Sequence, residues 1–402
     1  GRGLRRPPAG VLLITPESLE AMFVLRGSSV PGFFQHLRYV IVDELHAFIG
    51  NERGRQLQSL LHRVELATGN RVPRIGLSAT IGDLPLAAGF LRPDRPESVR
   101  LIASDAVYRP VQLQLRGYET DPPEDPAEVA DGEDALVRDL YQIHKGATNL
   151  IFANARMSVE RYTDALTRCC AAEYRPNEFL AHHGNLSKDL REDAEERLKS
   201  GRPTTVIATS TLELGIDIGA VDAVAQIGVP PSVSSTKQRL GRSGRRGDSP
   251  SVMRIFVEEE ALRPDSDLAT ELRLDLVQAI ATVELLIRRW IEPPRTGALH
   301  LSTLVQQVLS LIAEHGGTNA VRAYHTLCVT GPFGSVDRTM FIGVLRDLGA
   351  ARLIEQMTDG TLVLGPEGER IVERFDFYAA FATAAEWRLV TGTRTLGTLP
   401  IS

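Results

Sequence analysis

An apolar run at 39–43 ends in Asp43-Glu44-Leu45-His46. A carboxylate at the carboxyl end of a buried strand faces the ligand crevice of an α/β sheet. There Asp43 can hold a magnesium ion, usually through water, and Glu44 can orient and deprotonate an attacking water. The same acidic pair also suits an ordinary surface loop. A second apolar run ends in Ser78-Ala79-Thr80, whose hydroxyls can reach toward the previous loop or simply cap a helix or turn. Further on come Ala208-Thr209-Ser210-Thr211-Leu212-Glu213-Leu214-Gly215-Ile216-Asp217 and Gln238-Arg239-Leu240-Gly241-Arg242-Ser243-Gly244-Arg245-Arg246. Glycines let the backbone approach a partner closely, and Arg242 and Arg245 are three apart. Arginine forks suit bidentate phosphate contacts and the charge that develops during phosphoryl transfer. A generic anion-binding or solvated loop has the same composition.

Those residues need a scaffold, and the hydropathy pattern supplies one. Short runs of Val, Ile, Leu and Ala at 11–15, 39–43, 75–78, 150–153, 206–208 and 223–227 read as strands buried on both faces. Helical patterns at 16–25, 55–68, 159–172 and 189–200 alternate with them, which predicts an α/β fold of parallel sheets covered by helices. Residues 120–133, TDPPEDPAEVADGE, carry Pro and acid without an apolar period and read as a linker between lobes at 1–118 and 135–258.

After residue 258 the pattern changes. A long helix is expected over 272–290 within a connector at 259–294, ended by Pro293-Pro294. Helices at 299–312, 319–326 and 337–348 and strands at 351–356 and 361–364, joined by Asp359-Gly360, predict a winged-helix domain over 295–365. Residues 366–402 read as the start of another domain. Trp290 ends an apolar helix and reads as core. Trp387 is a candidate for stacking on a base, worth about 1–3 kcal/mol.

The totals narrow the class. The chain has 402 residues, 43% apolar and 24% charged, an ordinary globular balance with room for two or three domains. A net charge of −6 argues against a uniformly basic nucleic-acid blanket but leaves room for a local track. No apolar run is long enough for a membrane span, so no membrane partner is expected. Cys169, Cys170 and Cys328 match no disulfide framework or common zinc spacing and read as small apolar residues in a reducing cytoplasm.

Taken together, six segments resemble the superfamily 2 helicases, in that family's order. TPESL at 15–19 is similar to motif Ib, DELH at 43–46 to motif II, and SAT at 78–80 to motif III. LIFANAR at 150–156 is similar to motif IV, 209–217 to motif V, and QRLGRSGR at 238–245 to motif VI. The resemblance implies two RecA-like parallel-sheet lobes, the first incomplete, and an ATPase that uses ATP and Mg2+. Asp43 would bind the magnesium of Mg-ATP, Glu44 would be the general base, and Arg242 and Arg245 would be arginine fingers. Gly215, Asp217, Gln238 and His46 would lie near the nucleotide. His46, Ser78 and Thr80 would couple it to the nucleic-acid groove. Thr15, Pro16, Asn154, His183, Gly184, Thr209 and Ser210 would line the strand track.

One part of the family pattern is missing. The sequence contains no G-x-x-x-x-G-K-[ST] and no adenine-reading segment ahead of motif Ib. With Gly1 as its first residue, the chain is expected to be N-terminally truncated or one half of a split protein, and to bind ATP poorly alone. VELLIRRW at 283–290, the Pro pair, the GIDIGAVDAVAQIG stretch at 215–228 and the tail at 377–400 resemble the large helicase-related (Lhr) group. That group implies a cytoplasmic, 3′ to 5′, single-strand-stimulated helicase acting on single-stranded DNA or RNA:DNA hybrids in DNA repair.

Overall fold

The computed structural model describes residues 10–78, 80–102, 110–120, 135–213, 217–219, 221–244 and 250–379, with strands at 386–391 and 394–400. The chain divides into two compact units, 1–103 with 293–384 and 104–292 with 385–402.

The first unit opens with α1 (Pro16–Arg26) and α2 (Val30–Phe34). Strand β1 (Val40–Val42), helix α3 (Glu52–Thr68), strand β2 (Arg74–Gly76) and α4 (Leu84–Leu91) follow. β1 and β2 run parallel, with Ile41 opposite Ile75. Asn51 caps α3 by accepting from the Gly54 N–H at 2.9 Å. Gly54 has no substitute there, because a Cβ would lie 1.6 Å from the Phe48 carbonyl oxygen. α3 and α4 cover one face of the strand pair through Val42, Leu45, Leu57, Leu61, Phe90 and Leu91.

Two expectations fail in this unit. Residues 11–15 form no strand, and Val11 to Ile14 are exposed. The run has no ladder partner among the described residues, and its end is drawn into a helix start, with Thr15 as N-cap and Pro16 in the first turn of α1. Nor are β1 and β2 buried on both faces, since Ile41 and Ile75 are 61% and 41% exposed.

The second unit is a six-stranded, all-parallel sheet in the order β3-β8-β7-β4-β6-β5. Its strands and helices in chain order are β3 (Val111–Thr120), α5 (Ala135–His144), β4 (Thr148–Ala153), α6 (Arg156–Ala172), β5 (Phe179–His182) and α7 (Lys188–Lys199). Then come β6 (Thr204–Ala208), β7 (Ala223–Ile227), α8 (Val233–Leu240), β8 (Ser251–Glu260), α9 (Leu268–Glu271) and α10 (Leu274–Ile287). The central strands β4, β6 and β7 are buried along their whole length, as continuous apolar runs require. Helices α5 and α6 pack on one face through Leu136, Leu140, Val159 and Leu166, and α7 on the other through Ala194 and Leu198. Most of the expected linker lies outside the described residues.

The long helix expected at 272–290 is shorter. Arg273 adopts φ +50° and separates α9 from α10, which ends at Ile287. Trp290 therefore falls beyond the helix, and at 43% exposed it is not the core residue expected.

The rest of the first unit holds α11 (Leu301–His315), β9 (Thr318–Asn319), α12 (Ala320–Tyr324) and α13 (Arg338–Ala350). β10 (Ile354–Gln356), β11 (Thr361–Leu364) and α14 (Pro366–Val372) follow. β10 and β11 form an antiparallel hairpin, and β11 also pairs with β9. Gly360 turns the hairpin at φ +86°, while Asp359 accepts from the Thr361 N–H at 2.9 Å. Leu304, Val308, Ile312, Phe333, Phe341 and Leu348 form the core. In the second unit β12 (Glu386–Thr391) pairs with β13 (Arg394–Pro400).

Candidate nucleotide and nucleic-acid sites

In the first unit the chemistry gathers at the carboxyl ends of β1 and β2. The β2 extension is stitched to β1 by Leu77 N–H donating to the Val42 carbonyl at 2.9 Å, and the Leu45 N–H returns to the Leu77 carbonyl at 2.8 Å. Asp43 is exposed directly after β1, and its Oδ1 accepts from the Glu44 N–H at 3.0 Å. Glu44 itself sits in the left-handed region, at φ 48° and ψ 46°, a conformation that costs a non-glycine residue energy and clusters at functional sites. The turn carries His46 back, so that Nδ1 lies 2.9 Å from Ser78 Oγ and 3.5 Å from Glu44 Oε2. The Thr80 N–H also donates to Ser78 Oγ, at 3.4 Å, and the Thr80 side chain is buried.

This packing depends on Gly76, which sequence reasoning passed over. A Cβ there would meet Leu45 Cδ2 at 2.6 Å. A glycine within a strand pattern signals such close approach. Thr15 is exposed, and its Oγ1 accepts from the Ser18 N–H at 3.3 Å as the cap of α1. Pro16 is buried, so it shapes the helix start rather than offering surface.

In the second unit the named residues follow the strand ends. Asn154 is exposed just after β4, where its Nδ2 donates to the Val229 carbonyl at 2.7 Å and its Oδ1 accepts from Gln226 Nε2 at 3.2 Å. After β5, His183 is buried with Nε2 2.5 Å from Glu160 Oε1, and Gly184 has open space where a Cβ would be. After β6, Thr209 donates its N–H to the His182 carbonyl at 3.2 Å, and Ser210 is exposed at the start of a short turn. Asp217 is exposed and accepts from the Gly219 N–H at 3.2 Å. Gln238 lies half-buried on α8. Arg242 is 7% exposed, and its Nε and Nη2 both donate to the Glu213 carbonyl, at 3.1 and 2.6 Å. Gly215, Arg245 and the Trp387 side chain lie outside the described residues.

Arg239 was missed as a site residue, although it lies inside the Gln238–Arg245 run. It is fully paired: Nε and Nη2 hold Glu213 Oε2 at 2.9 and 2.8 Å, and Nη1 donates to Gln226 Oε1. Its guanidinium lies 4.6 Å from the centre of the Phe152 ring. Burial lowers its pKa and Glu213 opposes that shift.

Comparison with known proteins fits this geometry. Residues 2–86 match the DEAD/DEAH box helicase family, and 133–247 match the helicase conserved C-terminal domain. The ATP-dependent helicase Lhr-Core of Methanothermobacter thermautotrophicus is 37% identical over 64% of this chain and 29% of its own length. The Lhr helicase/probable uracil glycosylase of Mycolicibacterium smegmatis is 30% identical over 92% of this chain and 26% of its own length. The two helicase segments and these relatives make the chain similar to the Lhr group of superfamily 2 helicases. The solved structure of Mycobacterium smegmatis helicase Lhr bound to ssDNA and AMP-PNP covers 93% of this chain with a TM-score of 0.74 at 30% identity, and the chain spans 46% of it. The DUF1998 helicase MrfA, with a TM-score of 0.66 at 19% identity, shares the fold. Across the first three curated relatives the chain spans 26% to 38% of their length. No helix among the described residues is long and apolar enough to cross a membrane.

Proposed function

We propose that this chain is part of an ATP-driven motor that tracks along single-stranded DNA, 3′ to 5′, and separates DNA or RNA:DNA duplexes. The observation that carries the reading is the Asp43–Glu44–His46 turn, set at the end of a parallel strand and tied to Ser78. The Asp43 carboxylate fits a magnesium ion held through water: it is exposed, and one oxygen receives the Glu44 N–H. When bound, Mg-ATP supplies the phosphoryl group to be transferred and the charge that must be neutralised. Glu44 orients the attacking water and takes its proton on a carboxylate oxygen. His46, Ser78 and Thr80 link that event to the strand track. Arg242 and Arg245 stabilise the transferring charge, with Gln238, Gly215 and Asp217 beside the nucleotide. Thr15, Asn154, His183, Gly184, Thr209 and Ser210 supply hydroxyl, amide and backbone contacts to the phosphates of the strand. The three helices and hairpin of 295–365 act as a winged helix that helps to enclose it.

No phosphate-cradling G-x-x-x-x-G-K-[ST] occurs in these 402 residues. We therefore assign the cradle to residues outside this sequence, and the chain alone should turn over little ATP. That absence also supports a second reading, in which this segment alone binds nucleic acid without catalysis. The test is made on the whole protein, carrying the cradle. Single-stranded DNA should stimulate ATP turnover, a 3′-tailed duplex should be unwound in preference to a 5′-tailed one, and Glu44→Gln should abolish turnover while leaving ATP binding intact. Near-normal turnover in Glu44→Gln removes the assigned base, and a wild type without DNA-stimulated turnover removes the motor reading.

A further inference from the structure

Gln226 is a fully buried primary amide near the end of a strand that is otherwise apolar. Burying an amide is costly unless every polar atom is answered. Here both ends are answered, and the partners lie in different functional segments. Oε1 accepts from Arg239 Nη1, while Nε2 donates to Asn154 Oδ1 at 3.2 Å and to the Ile227 carbonyl at 2.7 Å. Arg239, in turn, is clamped to the Glu213 carboxylate, and the Glu213 carbonyl receives Nε and Nη2 of Arg242. Hydrogen bonds thus run from Asn154 through Gln226 and Arg239 to the Glu213 carboxylate, and the backbone carbonyl of that same residue receives Arg242, all inside one unit.

We propose that Gln226 and Arg239 are positioning residues that relay strand occupancy at Asn154 to the setting of the Arg242 guanidinium. The proposal rests on the motor reading for the roles of Asn154 and Arg242. Its physical basis is the burial of the middle links. The Arg239 and Glu213 side chains are 3% and 11% exposed, so neither exchanges freely with water. In so dry a setting a displaced amide cannot be replaced by solvent, and a shift at one end must be matched at the next bond. When a phosphate competes for the Asn154 amide, Nδ2 leaves the Val229 carbonyl and Oδ1 reorients against Gln226. Gln226 then redirects its acceptor, and the Arg239–Glu213 clamp carries the change to the carbonyl that holds Arg242. A plain structural clamp needs only Arg239 and Glu213. It gives no reason for a buried amide that bridges to an exposed residue at the neighbouring strand's end.

The test uses the whole protein, with ATP turnover measured without DNA and at saturating oligo-dT, and the KM for ATP measured in both. Gln226→Met keeps the side-chain volume and removes both links. The stimulated kcat should fall about tenfold, the size of an ordinary coupling, while basal turnover and the KM for ATP stay within about twofold. In the Gln226→Met/Asn154→Ala pair the losses should not multiply, because either change alone already cuts the relay. If Gln226→Met does not fold, Gln226→Glu, which keeps an acceptor for Arg239 and removes the donor to Asn154, carries the same expectations. Multiplicative losses, equal falls in basal and stimulated turnover, or an unchanged stimulated rate would each overturn the relay. A wild type without DNA stimulation overturns the motor reading and the relay with it, and that outcome is recognised before any variant is made.

Discussion

His46 Nδ1 and Ser78 Oγ lie 2.9 Å apart across 32 residues of sequence, joining the loops that follow two adjacent parallel strands. The same nitrogen is 3.5 Å from Glu44 Oε2, so the base assigned to water activation and the serine of the next loop share one imidazole. In the proposed motor this is the first step by which hydrolysis is felt outside the nucleotide site. Ser78→Ala should leave basal ATP turnover within about threefold and reduce both DNA stimulation and strand displacement by about tenfold. Turnover and unwinding assays on the whole protein check it. Equal loss of basal and stimulated rates would make the contact merely structural.

Arg63 makes a prediction that this chain alone can test. It is buried beneath α1 and α11, with Nη2 2.7 Å from Glu314 Oε2, Nη1 3.0 Å from Gln307 Oε1 and from Ser310 Oγ, and Glu20 at 3.4 Å. Its guanidinium lies 4.3 Å from the centre of the Phe23 ring. Replacing such a pair with apolar groups is often tolerated, but removing one partner strands the other charges, at about 3–5 kcal/mol. Arg63→Met should lower the Tm of the first unit by roughly 6–20 °C, and adding Glu20→Gln and Glu314→Gln should recover part of the loss. Thermal unfolding followed by circular dichroism measures both. A single variant as stable as wild type would mean that the Arg63 contacts do not hold these helices together.

How far the sequence could be read follows from which interactions are local. Helices α1, α3 and α7 were legible because a helical apolar pattern and a capping residue lie within one short stretch, and α6, preceded by Ala155 without a side-chain cap, by its pattern alone. The acidic turn was legible because strand and carboxylates are adjacent. Strand β3 was not, because Gln112, Gln114 and Arg116 interleave with its apolar residues at the sheet's edge. Strand β5 has four residues, and β8 ends in three glutamates. The break at Arg273 carries no Gly or Pro to announce it. Residues 11–15 have strand composition, yet composition does not supply a ladder partner. At the candidate site, Arg239 was hidden by its more familiar neighbours. Gln226 and Gly76 owe their roles to partners brought close by folding, which no local pattern encodes.

His144 fixes a pH dependence. It is fully buried, and neither ring nitrogen has a hydrogen-bond partner among the described residues. Burial pushes its pKa down to about 4, and the charge of Arg254 adds to the shift. Because the unfolded chain takes up this proton more readily, its contribution is intact above about pH 6.5 and is lost as pH falls toward 4. Over that window the loss is about 3 kcal/mol. His144→Leu should therefore flatten the stability profile between about pH 6.5 and 4 relative to wild type. Denaturant titrations at several pH values measure the difference, and parallel profiles would place the ring in contact with water.

Glu44 bears on whether function is held at the expense of stability. Its left-handed backbone, at φ 48°, costs a residue with a long side chain about 1–2 kcal/mol. Asparagine enters that region more readily, because its short amide can bond locally. Glu44 Oε2 lies 3.5 Å from His46 Nδ1 and the Glu44 side chain is one-third exposed, so the contact contributes little to stability. Glu44→Asn should thus raise the Tm of the first unit by about 1–3 °C while abolishing DNA-stimulated turnover in the whole protein, because position 44 then has no carboxylate to take the proton from water. Melting and turnover must move in opposite directions. A variant that is both less stable and inactive would mean that Glu44 holds the turn together, and its αL backbone would then be an ordinary part of the loop.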